Sequence, residues 1–239
     1  MSLTYHIKKK TVIYWQLMAM LNLDYCRALV DHHQDCGPVI HAPVTGTNYP
    51  LTGMSTIYAV RDFLGGEEIW EQTVAGYCHK YPHNVPEPAK WVVMGLMDSQ
   101  LRTGDMPKSI KKLPPDLSPT VEDVANITAI FSHVLGKVEA TNLIANPQFD
   151  GSFEVGGADA NLIINNTLWD IRTTGRKYPL DLDCIIQQVG YYLLDFENKY
   201  ELKSICWYYT RQQCLFEHPI EPLLTKGAKL RFQRMLKGA

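Results

Sequence analysis

The chain has 239 residues, 46% of them hydrophobic and 20% charged, with a formal net charge of -2. That balance excludes a collagen-like, disordered or disulfide-stapled protein and offers no global basic charge to advertise nucleic acid. Basic charge is instead local, at Lys8, Lys9 and Lys10 and in a last stretch holding Lys226, Lys229, Arg231, Arg234 and Lys237 with no acid among them, which keeps a basic footprint on one face open.

Residues 11 to 33 predict a helix, with Val12, Leu17, Leu21, Leu29 and Val30 among many apolar positions and no Pro or Gly. The lysines followed by Thr11-Val12-Ile13-Tyr14-Trp15 mimic a secretory signal, but Gln16, Asn22 and Asp24 interrupt the run and no small-residue cleavage site follows. No apolar run approaches the roughly 20 residues of a membrane span, so a cytoplasmic protein with no membrane partner is expected. A loop with Gly37, Pro38, Pro43, Gly46, Asn48, Pro50 and Gly53 precedes a helix from Ser55 to Leu64, stopped by Gly65-Gly66. Further helices are expected over Glu67 to Cys78 and over residues 89 to 102. Pro107, Pro114, Pro115 and Pro119 mark a stiff connector. The chain therefore divides into a mostly helical region, 1–117, and a core, 118–239, that ends in a basic helix.

In that second part Ser118 or Thr120 can cap a helix to about Leu135. Val121, Val124, Ile127, Thr128, Phe131 and Leu135 form its apolar side, with Glu122, Asn126 and His133 opposite. A strand is expected around Val138 to Ile144. Two apolar runs, Val155 to Ile164 and Thr167 to Thr173, are separated only by Asn165-Asn166. Asn tolerates positive φ, so this pair reads as a two-residue hairpin turn. Leu182 to Phe196 has the period of an amphipathic helix, and Ile205 to Tyr209 reads as an aromatic strand paired with Leu215-Phe216. The expected order is helix, strand, strand, strand, helix, strand.

A turn at 165 and 166 sets Ile164 opposite Thr167, Leu162 opposite Trp169, Asn161 opposite Asp170 and Asp159 opposite Arg172. Alternation along the strands then projects Asp159, Asn161, Asp170 and Arg172 from one face and sends Ala160, Leu162, Trp169 and Ile171 to the other, into a core. Two carboxylates, a carboxamide and a guanidinium within cross-strand reach suit a hard divalent cation and phosphoryl chemistry. On spacing alone, a solvated hairpin face with Asp159 paired to Arg172 is the alternative.

Three segments carry a resemblance: Gly156-Gly157-Ala158-Asp159-Ala160-Asn161-Leu162-Ile163, Leu168-Trp169-Asp170-Ile171-Arg172-Thr173-Thr174, and Gln187-Gln188-Val189-Gly190-Tyr191-Tyr192-Leu193-Leu194-Asp195. In this order they resemble the PD-(D/E)xK nuclease superfamily, in particular its RecB-like branch with a Q-x-x-x-Y helix motif. The resemblance implies an α/β, restriction-endonuclease-like core, with a mixed sheet flanked by helices and Mg²⁺ or Mn²⁺ held at the hairpin. It also implies metal-dependent phosphodiester hydrolysis of nucleic acid, DNA rather than RNA. Asp170 matches the second-strand acid, Asp159, Asn161 and the Ile171 carbonyl would complete the metal shell, and Arg172 would steady the phosphate. Gln187 and Tyr191, stacked on one helix face, would hold the nucleic-acid backbone or support the site.

Two positions depart from the pattern. Asn161 stands where the branch commonly has an acid, and it offers a carbonyl oxygen without charge. Arg172 stands at the motif lysine; it keeps the positive charge but cannot readily release a proton. Lys177 could swing in for it, and Glu122 could supply an outer carboxylate. The expectation is a nuclease-like protein with hydrolysis weakened or lost, the alternative being an inactive fold that binds nucleic acid or serves as an assembly subunit. The Asp31–Cys36 run and Cys78-His79 with His83 hold metal-ligand types but lack the paired spacing of a zinc site. The six cysteines show no C-x-x-C spacing and read as free buried thiols in a reducing compartment.

Overall fold

Both Asn165 and Asn166 adopt left-handed backbone, with φ of 48° and 67°, the mirror-image turn whose twist suits a hairpin. They join β2 (Leu162–Ile164) to β3 (Thr167–Arg172) in the expected register, Leu162 opposite Trp169 and Ile164 opposite Thr167. The computed structural model describes residues 2–32, 36–65, 85–103 and 113–238. The Asn165 carboxamide also fastens the turn to the chain ahead of β1 (Leu143–Ala145). Its Oδ1 accepts from the Thr141 and Asn142 amides (3.1 and 2.9 Å) and the Thr141 hydroxyl (2.8 Å), and its Nδ2 donates to the Glu139 carbonyl (2.5 Å). The strand expected over 138–144 is therefore only three residues long, because the amides of Thr141 and Asn142 are spent on that side chain. Asn165→Ala loses these bonds and strains a left-handed residue, so urea unfolding should show a loss of about 2–3 kcal/mol. Asn165→Gly should recover the backbone share only.

β3 runs parallel to β4 (Ser204–Tyr209), and β4 is antiparallel to β5 (Cys214–Pro219). The five strands are ordered β1-β2-β3-β4-β5 in one mixed sheet. A parallel pair needs a crossover, supplied by α7 (Leu182–Leu194), whose first turn is capped by Asp181 Oδ1 accepting from the Cys184 amide at 2.8 Å. β4 is buried on both sides: Trp207 and Tyr209 face one core and Tyr208 the other, all fully inaccessible.

Helices cover both faces of this mixed α/β structure. Against the face of Trp207 lie α1 (Leu3–Lys9), α2 (Val12–Met18), α3 (Leu23–His32), α7 and α8 (Ala228–Lys237). Against the other lie α4 (Tyr49–Gly65), α5 (Ala89–Thr103) and α6 (Ser118–Thr128). Residues from before and after 117 interleave in both cores.

The single helix expected over 11–33 is two helices, preceded by α1. α2 stops at Met18 because Leu21 pairs with Leu224 and the Asn22 amide donates to the Leu223 carbonyl at 2.9 Å, a long-range pairing that overrides the helical period. α4 begins at Tyr49, earlier than the expected Ser55. There Asn48 Oδ1 accepts from the Leu51 amide at 3.2 Å, and Pro50 in the first turn suits a helix start rather than a loop. α6 ends at Thr128 instead of Leu135, and two short 3₁₀ turns, 131–133 and 135–137, keep Phe131 and Leu135 buried. α5 agrees with the helix expected over 89–102, and α7 stops two residues short of Phe196. The helix expected over Glu67–Cys78, the Cys78-His79 and His83 cluster, and His33 to Asp35 lie outside the described residues.

None of the five described cysteines is in a disulfide, and Cys26, Cys36, Cys184 and Cys206 are buried. Burial pushes the Cys26 thiol up to about 11. No helix among the described residues is long and apolar enough to cross a membrane.

Candidate functional site

Asp170 and Arg172 alternate with Trp169 and Ile171 along β3 and so project with Leu168 toward α7. Arg172 Nε donates to Asp170 Oδ2 at 2.5 Å, and Arg172 Nη2 donates to Gln187 Oε1 at 2.9 Å. A guanidinium only donates, so the Gln187 carboxamide must turn its oxygen to Arg172 and its nitrogen away. That Nε2 meets the Thr4 and Tyr191 hydroxyls, each at 3.2 Å. Four of the residues singled out in the sequence thus form one hydrogen-bonded chain, Asp170–Arg172–Gln187–Tyr191, between β3 and α7.

Asp170 is buried, whereas the Arg172 side chain stays 30% exposed. Burial works against the Arg172 charge, but the charge and hydrogen bond of Asp170, together with the neighbouring Cys184 and Tyr209, raise the pKa on balance. Burial also raises the Tyr191 phenol; hydrogen bonds from Gln187 and Thr4 ease it back, and the Asp170 and Asp159 carboxylates push it further up. Tyr191 therefore stays a neutral phenol. The Cys184 thiol beside this chain is pushed up to about 12 by burial, against the pull of Arg172.

Asn161 does not face outward. Its Oδ1 accepts from the Ile171 amide at 2.9 Å, so a side chain continues the β2–β3 pairing past the end of β2. Its own carbonyl accepts from Arg61 Nη2 at 2.7 Å, and the same nitrogen donates to Asn146 Oδ1 at 2.7 Å. Arg61, buried on α4, thereby holds a bend at Asn161, and the alternation expected from 159 to 164 breaks there. Ala160 is buried with Ile163 and Leu168, not with Leu162 and Trp169 as expected. Asp159 is exposed and pairs as an isolated bridge with Gln148 rather than standing on a strand opposite Arg172. Glu122 is exposed, and Lys177, also exposed, sets its ammonium over the Tyr178 ring at 5.0 Å.

α1 closes the α7 side. The Leu3 amide donates to the Gly157 carbonyl at 2.8 Å. Leu3 packs so tightly on Gly190 that a Cβ there would lie 3.0 Å from Leu3 Cδ2, which is why the Q-x-x-x-Y helix carries glycine at this point. Sequence reading missed Thr4 and Arg61, which stand in no motif and are brought in from other elements. Tyr209, read in the sequence as part of the aromatic strand, lies opposite Arg172 in the β3–β4 register, and its buried hydroxyl has no hydrogen-bond partner among the described residues.

No family model, no curated protein and no solved structure matches this chain. Among the described residues no group of three or more His, Cys, Asp or Glu side chains could hold a metal ion. Asp170 is engaged by Arg172, and the Asn161 side-chain Oδ1 is taken by the Ile171 amide. A hard dication requires several anionic oxygens turned toward one point. The donor set of Asp159, Asn161, Asp170 and Ile171 does not fit Mg²⁺ or Mn²⁺ in this arrangement.

His6 couples the docking of α1 to pH. Its Nδ1 lies 2.8 Å from the Thr11 hydroxyl. Burial lowers its pKa below 6.5, although a hydrogen bond to the Val155 backbone works the other way. Between the folded-state pKa and 6.5 the unfolded chain binds more protons, so stability is full above that window and falls as pH drops through it. The thermal midpoint should fall between pH 7.5 and pH 5.5, and His6→Gln should shrink the fall. His218, also lowered by burial, should retain part of it.

Proposed function

We propose that the protein is a nuclease-like fold in which a fixed polar bridge stands in place of the hydrolytic centre, and that it binds nucleic acid without cleaving it. The observation that carries this reading is the Arg172 guanidinium, held between Asp170 Oδ2 at 2.5 Å and Gln187 Oε1 at 2.9 Å. The cation beside the second-strand acid is the chain's own. The element order α6, β1, β2, β3, α7, β4 supports a restriction-endonuclease-like core, as does the placing of Leu168–Arg172 on the second hairpin strand and of Gln187 and Tyr191 on α7. The half-buried Arg172, with Arg176 exposed on the following loop, offers donors to a phosphodiester backbone; DNA is the favoured partner.

Three measurements test this. Fluorescence anisotropy should show labelled DNA binding without added metal. Titration calorimetry with Mn²⁺ should give no more heat than Asp170→Asn does, and plasmid incubated with Mn²⁺ should remain supercoiled. Metal-dependent nicking that Asp170→Ala abolishes would make the protein a working hydrolase and overturn the proposal. Absence of DNA binding would also sink it.

A further inference from the structure

Three lysines gather where α1 turns into α2. Lys10 takes a left-handed conformation, φ 49°, that folds the chain straight from one helix into the next. Lys8, Lys9 and Lys10 are consequently all exposed at one knuckle. No Asp or Glu precedes Asp24, so neither helix supplies an acid to neutralise them. Asp183 of α7, which accepts from the Tyr14 hydroxyl at 3.3 Å, approaches from the inner side of α2. Next to the lysines, Tyr5, Val12 and Trp15 are 41%, 71% and 59% exposed. They are not misplaced core, because the inward positions Leu3, Ile7, Tyr14 and Leu17 already bury that side of both helices.

The knuckle is continuous with the candidate site. Thr4, whose hydroxyl meets Gln187, and Lys8 are one helical turn apart on the same side of α1. The lysine cluster thus begins about 6 Å along the helix from the Arg172–Gln187 chain.

We propose that this knuckle is a docking surface for single-stranded nucleic acid, with Lys8, Lys9 and Lys10 on successive phosphates and the Tyr5 and Trp15 rings stacking on bases. The inference rests on the nucleic-acid reading above and adds the place and the strand form. Closely spaced point cations beside outward-facing rings match a polyanion that presents flat faces, and a duplex keeps those faces stacked inside. A lipid surface fits less well. Both helices are seven residues long, and Val12 is the only large aliphatic side chain they expose, so little area could enter acyl chains.

The test is anisotropy of the full chain with a labelled oligothymidylate of about 20 nucleotides and a blunt duplex of equal length, between about 50 and 200 mM salt. The single strand should bind more tightly than the duplex. Lys8→Gln/Lys9→Gln/Lys10→Gln should weaken single-strand binding at least tenfold and reduce the salt slope by about 2, at about 0.7 per lost phosphate contact. Trp15→Ala should weaken it several-fold with the slope unchanged. Should the triple variant fail to fold, Lys8→Gln/Lys9→Gln leaves the left-handed Lys10 in place and should reduce the slope by about 1.4. If the lysine variants bind as the wild type does while Arg172→Ala does not, the knuckle is overturned and the nucleic-acid reading survives. Equal affinity for duplex and single strand overturns the stacking. If the wild type binds neither, both proposals fall, and lysine-dependent flotation with phosphatidylserine vesicles would reassign the face to anionic lipid.

Discussion

Replacing Arg211 with methionine is expected to cost about 3–5 kcal/mol of stability, the range for removing one partner of a fully buried ion pair. Arg211 Nη1 and Nη2 donate to Asp123 Oδ1 and Oδ2 at 2.9 and 2.6 Å, and both side chains are essentially inaccessible, at 1% and 0% exposure. The pair also fixes loop structure. Arg211 Nη1 reaches the His41 carbonyl at 3.2 Å, and its own carbonyl accepts from the Ile40 amide at 2.8 Å. Asp123 accepts in addition from the Val44 amide and the Thr52 hydroxyl, each at 3.4 Å. Methionine approximates the volume and leaves the carboxylate buried without its cation. Urea unfolding should record the loss, and Asp123→Leu added to Arg211→Met should recover a large part of it, since an apolar pair leaves no buried charge. A single-variant loss below about 1 kcal/mol would mean that the pair does not hold the 39–48 loop and the start of α4 to the β4–β5 turn.

The double change Asn161→Asp with Arg172→Lys should create a response to divalent metal that the wild type lacks. Lysine cannot span Asp170 and Gln187 as the forked guanidinium does, so Asp170 is released, and an acid at 161 adds a second anionic oxygen beside the Ile171 amide. Without metal the two carboxylates repel and the variant should melt below the wild type. Millimolar Mn²⁺ at about a hundred times its Kd would return about 2.7 kcal/mol, about 5–10 °C in thermal midpoint for a chain of this size. The wild type should not move, and Mn²⁺-dependent nicking of plasmid should accompany the shift. A folded double variant with an unchanged midpoint would rule out a latent cation site at this hairpin.

Local chemistry made several of these features legible. Asn165-Asn166 between two apolar runs announced the hairpin and its register because only two residues, both tolerant of positive φ, could close it. The four-residue spacing of Gln187 and Tyr191 put them on one face of α7, and strand alternation put Asp170 and Arg172 on one face of the sheet. The sequence pointed Arg172 across the hairpin to Asp159, however. The structure pairs it with Asp170, two residues back on its own strand, because the bend at Asn161 takes Asp159 off the ladder.

That bend is where sequence reading ran out. It depends on Arg61, a buried cation beside the buried Ala59 and Val60 of α4, reaching 100 residues along the chain to the Asn161 carbonyl. The Asp123–Arg211 pair, separated by 88 residues, was invisible for the same reason. Neither an acid on a helix nor an arginine after a strand announces a buried partner until packing removes the water around both. Turn type, helix phase and strand alternation were determined by the sequence because backbone sterics and nearest neighbours decide them. Which side chain answers Asp170, where α2 stops and what covers Gln187 were decided only by the tertiary structure, because those outcomes depend on which distant groups share one dry, low-dielectric space.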